Sequence, residues 1–189
     1  MLTDEQRRTL LTVARESVVA CVSGGQLAVV PPADLPPASG VFVTLKHHGR
    51  LQGCLGTLES LQDLGREVVR CAADAATVDP RFAPVTAAQL PGLTVEISVL
   101  GPLEPIGTGR LWSECIVIGR HGLVIERGRR RGVLLPQVAT ERQWNAEQFL
   151  RQTCIKAGLD PDAYDHGATV YRFEAEVFGV DSPTPDDEA

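Results

Sequence analysis

No apolar run in this 189-residue chain reaches the ~18 residues that a membrane-crossing helix needs. The opening stretch, MLTDEQRRTL, is charged and holds no apolar signal core. The expectation is a soluble, cytoplasmic protein without a membrane partner. Cysteine is present but unpatterned. Residues 21, 54, 71, 115 and 154 make an odd number with neither a CxxC nor a Cys/His ligand spacing. That pattern argues against a disulfide framework and a structural zinc site, and no metal or cofactor is expected. Basic charge is in deficit, with 18 Lys and Arg against 24 Asp and Glu and a net charge of −6. A general nucleic-acid binder shows the opposite balance, and no aromatic RNA-recognition motif is found. Internal repeats are also lacking.

What is present is an ordinary globular composition, 43% apolar and 22% charged, in a chain long enough for one large domain or two small ones. Residues 3–23 read as a helix. Thr3 is the N-cap, Gln6 stands in capping-box position, and Leu10, Leu11, Ala14, Val18 and Cys21 form an apolar stripe ended by Gly24 and Gly25. By that stripe Cys21 belongs to the core. PPADLPPASG (31–40) is a connecting loop, because four prolines in ten residues forbid a helix or central strand. Residues 41–58 read as a hairpin turning at His47 to Arg50. Alternation puts Leu51, Gly53 and Leu55 on one face and Gln52, Cys54 and Gly56 on the other.

A second helix of about 17 residues is capped by Ser60, with Leu64, Val68, Ala72, Ala75 and Ala76 along its stripe and Cys71 on its flank; Pro80 stops it. LTVEISVL (93–100) is a strand. Residues 114–138 contain two or three short strands joined by turns at 120–122 and 127–132. The last helix begins near Asn145 with Gln148 at N3, and Gly158 closes it. TVYRFEAEVFGV is a final strand, and 181–189 is an acidic, disordered tail. The connections between strands are too short for parallel crossovers. The fold class is therefore α+β, with an antiparallel sheet packed by helices.

LQGCLGT resembles the signature of the AMMECR domain family, whose prokaryotic member is the AmmeMemoRadiSam system protein A. The resemblance continues through DPRFAPVTAAQLPGLTVEISVLGPLEPI, GRHGLVIERGRRRGVLLPQVATERQW, FLRQTCIKAGL and YRFEAEVF, and so covers residues 5–178. It implies a single domain over 1–180, made of a larger and a smaller lobe with a groove between them. It implies a cytoplasmic system with two partners, a Memo-like protein and a radical SAM enzyme, and it carries no assigned reaction. The family more often reads LRGCIG, so Gln52 stands here in place of an arginine and any anion or partner contact made by that arginine is altered.

Glycine is avoided in strand interiors, so the pair Gly53 and Gly56 beside Cys54 calls for a reason. Either they leave an open approach to a thiolate nucleophile, or they let another backbone pass and Cys54 is packing. His121, in GRHG, is the candidate base from a glycine-flanked turn; otherwise it is a turn histidine bonded to backbone. Arg81, in DPRF, suits a carboxylate or phosphate, or else pairs with Asp79. Glu96 on its strand's polar side needs a partner if buried, and Arg81 is one candidate. Gln137 follows a proline at a strand end and can donate to a ligand, with Glu141 and Trp144 on the same edge. His47 and His48 read as solvated turn residues. ERGRRRG reads as a solvated hairpin tip, with an acidic partner or phosphate as the other reading. Two functions follow: a module that binds a small ligand or partner protein in a groove around Cys54, or an enzyme with Cys54 as nucleophile.

Overall fold

A computed structural model describes residues 2–25, 35–59, 62–106 and 112–179. The predicted Ser60 cap and the acidic tail lie outside these residues. The chain divides into two compact units, one of residues 1–100 with 176–189 and one of residues 101–175.

The first unit opens with α1 (Asp4–Ser23). Thr3 and Gln6 bond each other's backbone amides in the capping box read from sequence, and Gly24 closes the helix at φ 68°. The buried stripe is Leu10, Val13, Ala14, Ser17 and Val18. It ends there, and Cys21 is exposed rather than core. The last turn carries no fully buried residue; Val22 packs partly on the core, and Cys21 beside it turns to solvent.

Strands β1 (Gly40–His47) and β2 (Arg50–Thr57) form the hairpin. His48 and Gly49 both take positive φ, 48° and 75°, which sets the turn whose twist matches the strands. Val41, Val43 and Leu45 are fully buried on one face of β1. The register slips in β2, where Leu45 pairs with Gly53 but Lys46 with Leu51. Gln52 is the extra residue of a bulge. This breaks the alternation expected for β2: Leu55 packs against the core while Leu51 stays 44% exposed.

Helix α2 (Leu64–Thr77) is capped by Asp63, whose carboxylate accepts from the Arg66 amide at 2.9 Å. It buries Leu64, Val68, Cys71, Ala72, Ala75 and Ala76 against the sheet. Cys71 is thus core, not flank. A 3₁₀ turn (Ala87–Gly92) leads into β3 (Leu93–Leu100), which pairs antiparallel with β1. The strand order is β2-β1-β3, with residues 176–179 of the last strand beyond β3, so β2 is an edge.

The second unit holds β4 (Glu104–Ile106), α3 (Trp112–Cys115), β5 (His121–Arg127), β6 (Arg130–Leu134), α4 (Pro136–Glu141), α5 (Ala146–Lys156) and most of β7 (Thr169–Gly179). β5 is central, flanked by β6 and β7, and β4 lies on β7's far side; all pair antiparallel. Phe149, Leu150 and Cys154 from α5 pack with Leu123, Ile125 and Val170. Asn145 and Gln148 form the capping box read from sequence, and Gly158 follows at φ 70°. Helix α4 was not foreseen: Pro136 starts it rather than ending a strand, because its fixed φ and missing N–H suit the first helical position. Along β7, Val170 and Phe178 are buried on the opposite parity to Phe173. The single face expected for Tyr171, Phe173, Ala175 and Val177 is therefore incomplete. Both units bear out the α+β, antiparallel class. Among the described residues no helix is long and apolar enough to cross a membrane.

Candidate functional site

Gly53 and Gly56 have a packing explanation. A Cβ on Gly53 would run into the Ala75 carbonyl oxygen of α2, and one on Gly56 would meet the Val41 carbonyl and the Phe42 ring. The missing side chains let β2 press against α2 and β1. They do not by themselves open a path to the thiol.

Cys54 lies opposite Thr44 across the hairpin, on the face turned away from Val43 and Leu45. Thr44 in turn lies opposite Glu96 on β3, so Cys54, Thr44 and Glu96 form one row over three strands. The Cys54 side chain is half-buried. The nearly buried Thr44 hydroxyl donates to its Sγ at 3.3 Å. Glu96 pairs with Lys46 at 3.4 Å, not with Arg81 as expected. The pairing of β1 with β3 decides this, since it sets Glu96 opposite Thr44 and so one diagonal step from Lys46.

The backbone of Cys54 is gripped from its open side. Its N–H donates to Asp79 Oδ2 at 2.9 Å, and its carbonyl accepts from Arg81 Nη2 at 2.9 Å. Arg81 holds Asp79 through Nε to Oδ1 at 3.0 Å and Nη2 to Oδ2 at 2.7 Å. Its guanidinium sits 5.3 Å from the centre of the Phe82 ring. The Arg81 fork holds the Asp79 carboxyl down at about 2, further lowered by the Cys54 amide and opposed by burial; the same pairing raises Arg81. Asp79 is 2% exposed at its side chain, Arg81 47%. Nη1 of Arg81 takes no partner among the described residues. Gln52 reaches the same segment, donating to the Ala83 carbonyl at 3.1 Å and accepting from Gln89 at 3.4 Å.

His121 and Gln137 belong to the second unit. His121 is the first residue of β5 and is buried, not projecting from a turn. Its Nδ1 accepts from the Val117 amide at 3.0 Å, which leaves the neutral ring's proton on Nε2. Burial, with Arg172 nearby, pushes its pKa down. Gln137 is in the first turn of α4, Glu141 is that helix's last residue, and Trp144 packs partly on the second core. Among the basic-tip residues, Arg130 caps the end of α5 by donating to the Gly158 carbonyl at 2.7 Å, and Arg131 pairs with Glu126 at 3.5 Å. A surface hollow of about 220 Å³, lined by Arg15, Val18, Val19, Leu90, Pro91 and Leu93, contains none of the predicted residues. Among the described residues no cluster of three His, Cys, Asp or Glu is placed to hold a metal ion.

A profile of the AMMECR1 family matches residues 11–178. The chain belongs to the AMMECR1 family. Among AMMECR1-type relatives, a protein of Methanothermobacter thermautotrophicus is 44% identical over 187 residues, covering 95% of this chain and 97% of its own. One from Thermococcus gammatolerans is 42% identical over 191 residues, covering 95% and 93%. The crystal structure of the uncharacterised protein PH0010 from Pyrococcus horikoshii superposes with a TM-score of 0.86 at 38% identity, over 96% of this chain and 95% of that one. Thr44 and Lys46 were missed by sequence reasoning. Thr44 reaches the site through the hairpin register, which the bulge at Gln52 hides from a period-2 reading, and Lys46 through the pairing of β1 with β3.

Proposed function

We propose that this AMMECR1-family chain is a binding component of a cytoplasmic AmmeMemoRadiSam-type system. The half-exposed face around Cys54 takes an anionic group of a small ligand or of a partner protein, and the partners are a Memo-like protein and a radical SAM enzyme. One observation carries the reading: Arg81 is fixed on three sides, by Asp79, the Cys54 carbonyl and the Phe82 ring, while its side chain stays half-exposed and Nη1 has no partner among the described residues. A guanidinium held in place loses little freedom when it binds a carboxylate or phosphate. Gln52 on β2 and Glu96 on β3 flank this face, Gln52 held by Ala83 and Gln89 and Glu96 by Lys46. A pull-down on an immobilised Memo-like protein tests it. Wild type and Cys54→Ala are retained and Arg81→Glu is lost; equal retention of all three sinks the reading.

The second reading makes Cys54 a nucleophile, and the Thr44 hydrogen bond to its Sγ favours it, because that bond orients the sulfur. Loss of cellular function in Cys54→Ser, with partner retention intact, supports it over the first.

A further inference from the structure

The hollow beside α1 joins two chemistries. Val18, Val19, Leu90, Pro91 and Leu93 give it apolar walls, and Arg15 is the charged group in its lining. Val19 is 41% exposed, next to the buried Val18. Arg15 is exposed and makes no hydrogen bond or ion pair among the described residues. A bare apolar wall beside an unpaired cation fits a segment that brings both apolar surface and carboxylates.

The last strand leads to this hollow. The Gly101 N–H donates to the Glu174 carbonyl at 2.9 Å, and Gly179 lies against Val95 and Glu96, where a Cβ would meet the Val95 carbonyl oxygen at 2.8 Å. β7 therefore runs antiparallel to β3, and each residue past Gly179 stands one nearer the start of β3. At ~3.3 Å per residue, three residues carry the chain from Gly179 to the level of Leu93, in the hollow's wall. α1 gives the same direction: Arg7 near its start bonds Glu176 at 2.7 Å, and Val18 further along it lines the hollow with Leu93.

The chain past Gly179 reads VDSPTPDDEA, with acids at 181, 186, 187 and 188 and no cation. Pro183 and Pro185 lack a ladder N–H and favour an extended course of about 3.1 Å per residue. From 183 to 188 that is about 15 Å, enough to cross the hollow.

We propose that this acidic segment docks in the hollow of its own chain. The two prolines lie on the wall of Val19, Leu90 and Pro91, and the carboxylates of 186–188 meet the Arg15 guanidinium. The tether selects this occupant. A segment attached so near the wall is held at an effective concentration of about mM, which a separate partner has to match. Charge selects it as well, since it carries acids alone to a site with one unpaired cation. Docked there, it covers Val19 and neutralises Arg15. No residue of the Cys54 face takes part, so the inference stands apart from the binding reading above.

Nuclear magnetic resonance on the nitrogen-15-labelled full chain tests the proposal. Arg15→Glu repels the segment from one side, and the triple reversal Asp186→Lys, Asp187→Lys, Glu188→Lys repels it from the other. The two combined restore opposite charges. Arg8→Glu is the control, exposed on the same helix but not in the hollow. In wild type the amides of 184 and 187 should show the positive heteronuclear NOE of ordered backbone. Arg15→Glu should cut it by at least half, and Arg8→Glu should leave it unchanged. The triple reversal should move the Leu90 and Leu93 amide resonances, and the combined variant should return both readouts towards wild type. Tail NOE values as low in wild type as in Arg15→Glu overturn the proposal, as do Leu90 and Leu93 resonances that ignore the triple reversal. Wild-type values lost on tenfold dilution also overturn it, since they assign the contact to a second copy. Contacts from Val19 to residues 26–34 in place of the tail do the same.

Discussion

The Asp79 carboxylate accepts a hydrogen bond from the backbone amide of Cys54 at 2.9 Å, joining the end of α2 to the edge of the sheet. Arg81 closes the same contact from the carbonyl side. The DPRF turn therefore acts on the backbone of the signature strand, and the cysteine's position depends on a charge pair 25 residues away.

That charge pair makes stability sensitive to acid. Asp79 titrates near 2 in the folded protein against 3.8 as its ordinary value, so the folded state binds the proton less readily. Its contribution is complete above pH 3.8, falls as the pH drops through the folded value of about 2, and amounts to ~1–2 kcal/mol given the exposed partner. Asp79→Asn should flatten that part of the urea-denaturation profile between about pH 4 and 2. An unchanged slope counts against the pairing.

His121 gives a second pH dependence with the same sign. Its pKa is lowered from 6.5 by burial, then by Arg172 and Arg120, against the opposing pull of Glu174 and Glu104. The unfolded chain takes up the proton first. Stability is full above 6.5 and declines as the pH falls below it. The His121→Asn variant should lose this decline in thermal melts between pH 7 and about pH 5.

Gly53→Ala tests why the signature strand has no side chain there. The new Cβ meets the Ala75 carbonyl oxygen, a backbone atom within a packed helix that cannot swing aside. The cost should be about 1–3 kcal/mol in chemical denaturation, from forced separation of β2 and α2. A neutral substitution would show that the helix yields.

Thiol labelling should sort the cysteines by burial. Iodoacetamide on the native protein at neutral pH should modify the exposed Cys21 and the half-buried Cys54 and Cys115 first. Cys71 and Cys154 are fully buried, and burial pushes the Cys71 pKa up to about 11. Both should react only on unfolding, as peptide mass spectrometry would show.

Most local end signals were read correctly. The capping boxes at Thr3 and Asn145, the glycines after α1 and α5, the bounds of β3 and the helix stop before Pro80 all depend on residues within one or two turns of each other. The cap of α2 was misplaced because Ser60 and Asp63 offer the same chemistry three residues apart, and the structure uses Asp63. Cys21 was misplaced because the packed stripe steps from Val18 to Val22, which packs partly on the core, and so passes Cys21 by.

The sequence by itself determined the antiparallel class, the family and the main helices and strands, though not α4, because these follow from periodicity, end signals and motifs in fixed order. Only the tertiary structure decided what surrounds Cys54. Thr44, Asp79 and Arg81 reach it from 10, 25 and 27 residues away, through a bulged register and a turn that wraps the sheet edge. Hydrogen bonds at such separations are fixed by where the packed helix and strands bring the backbone, and no spacing along the chain encodes them.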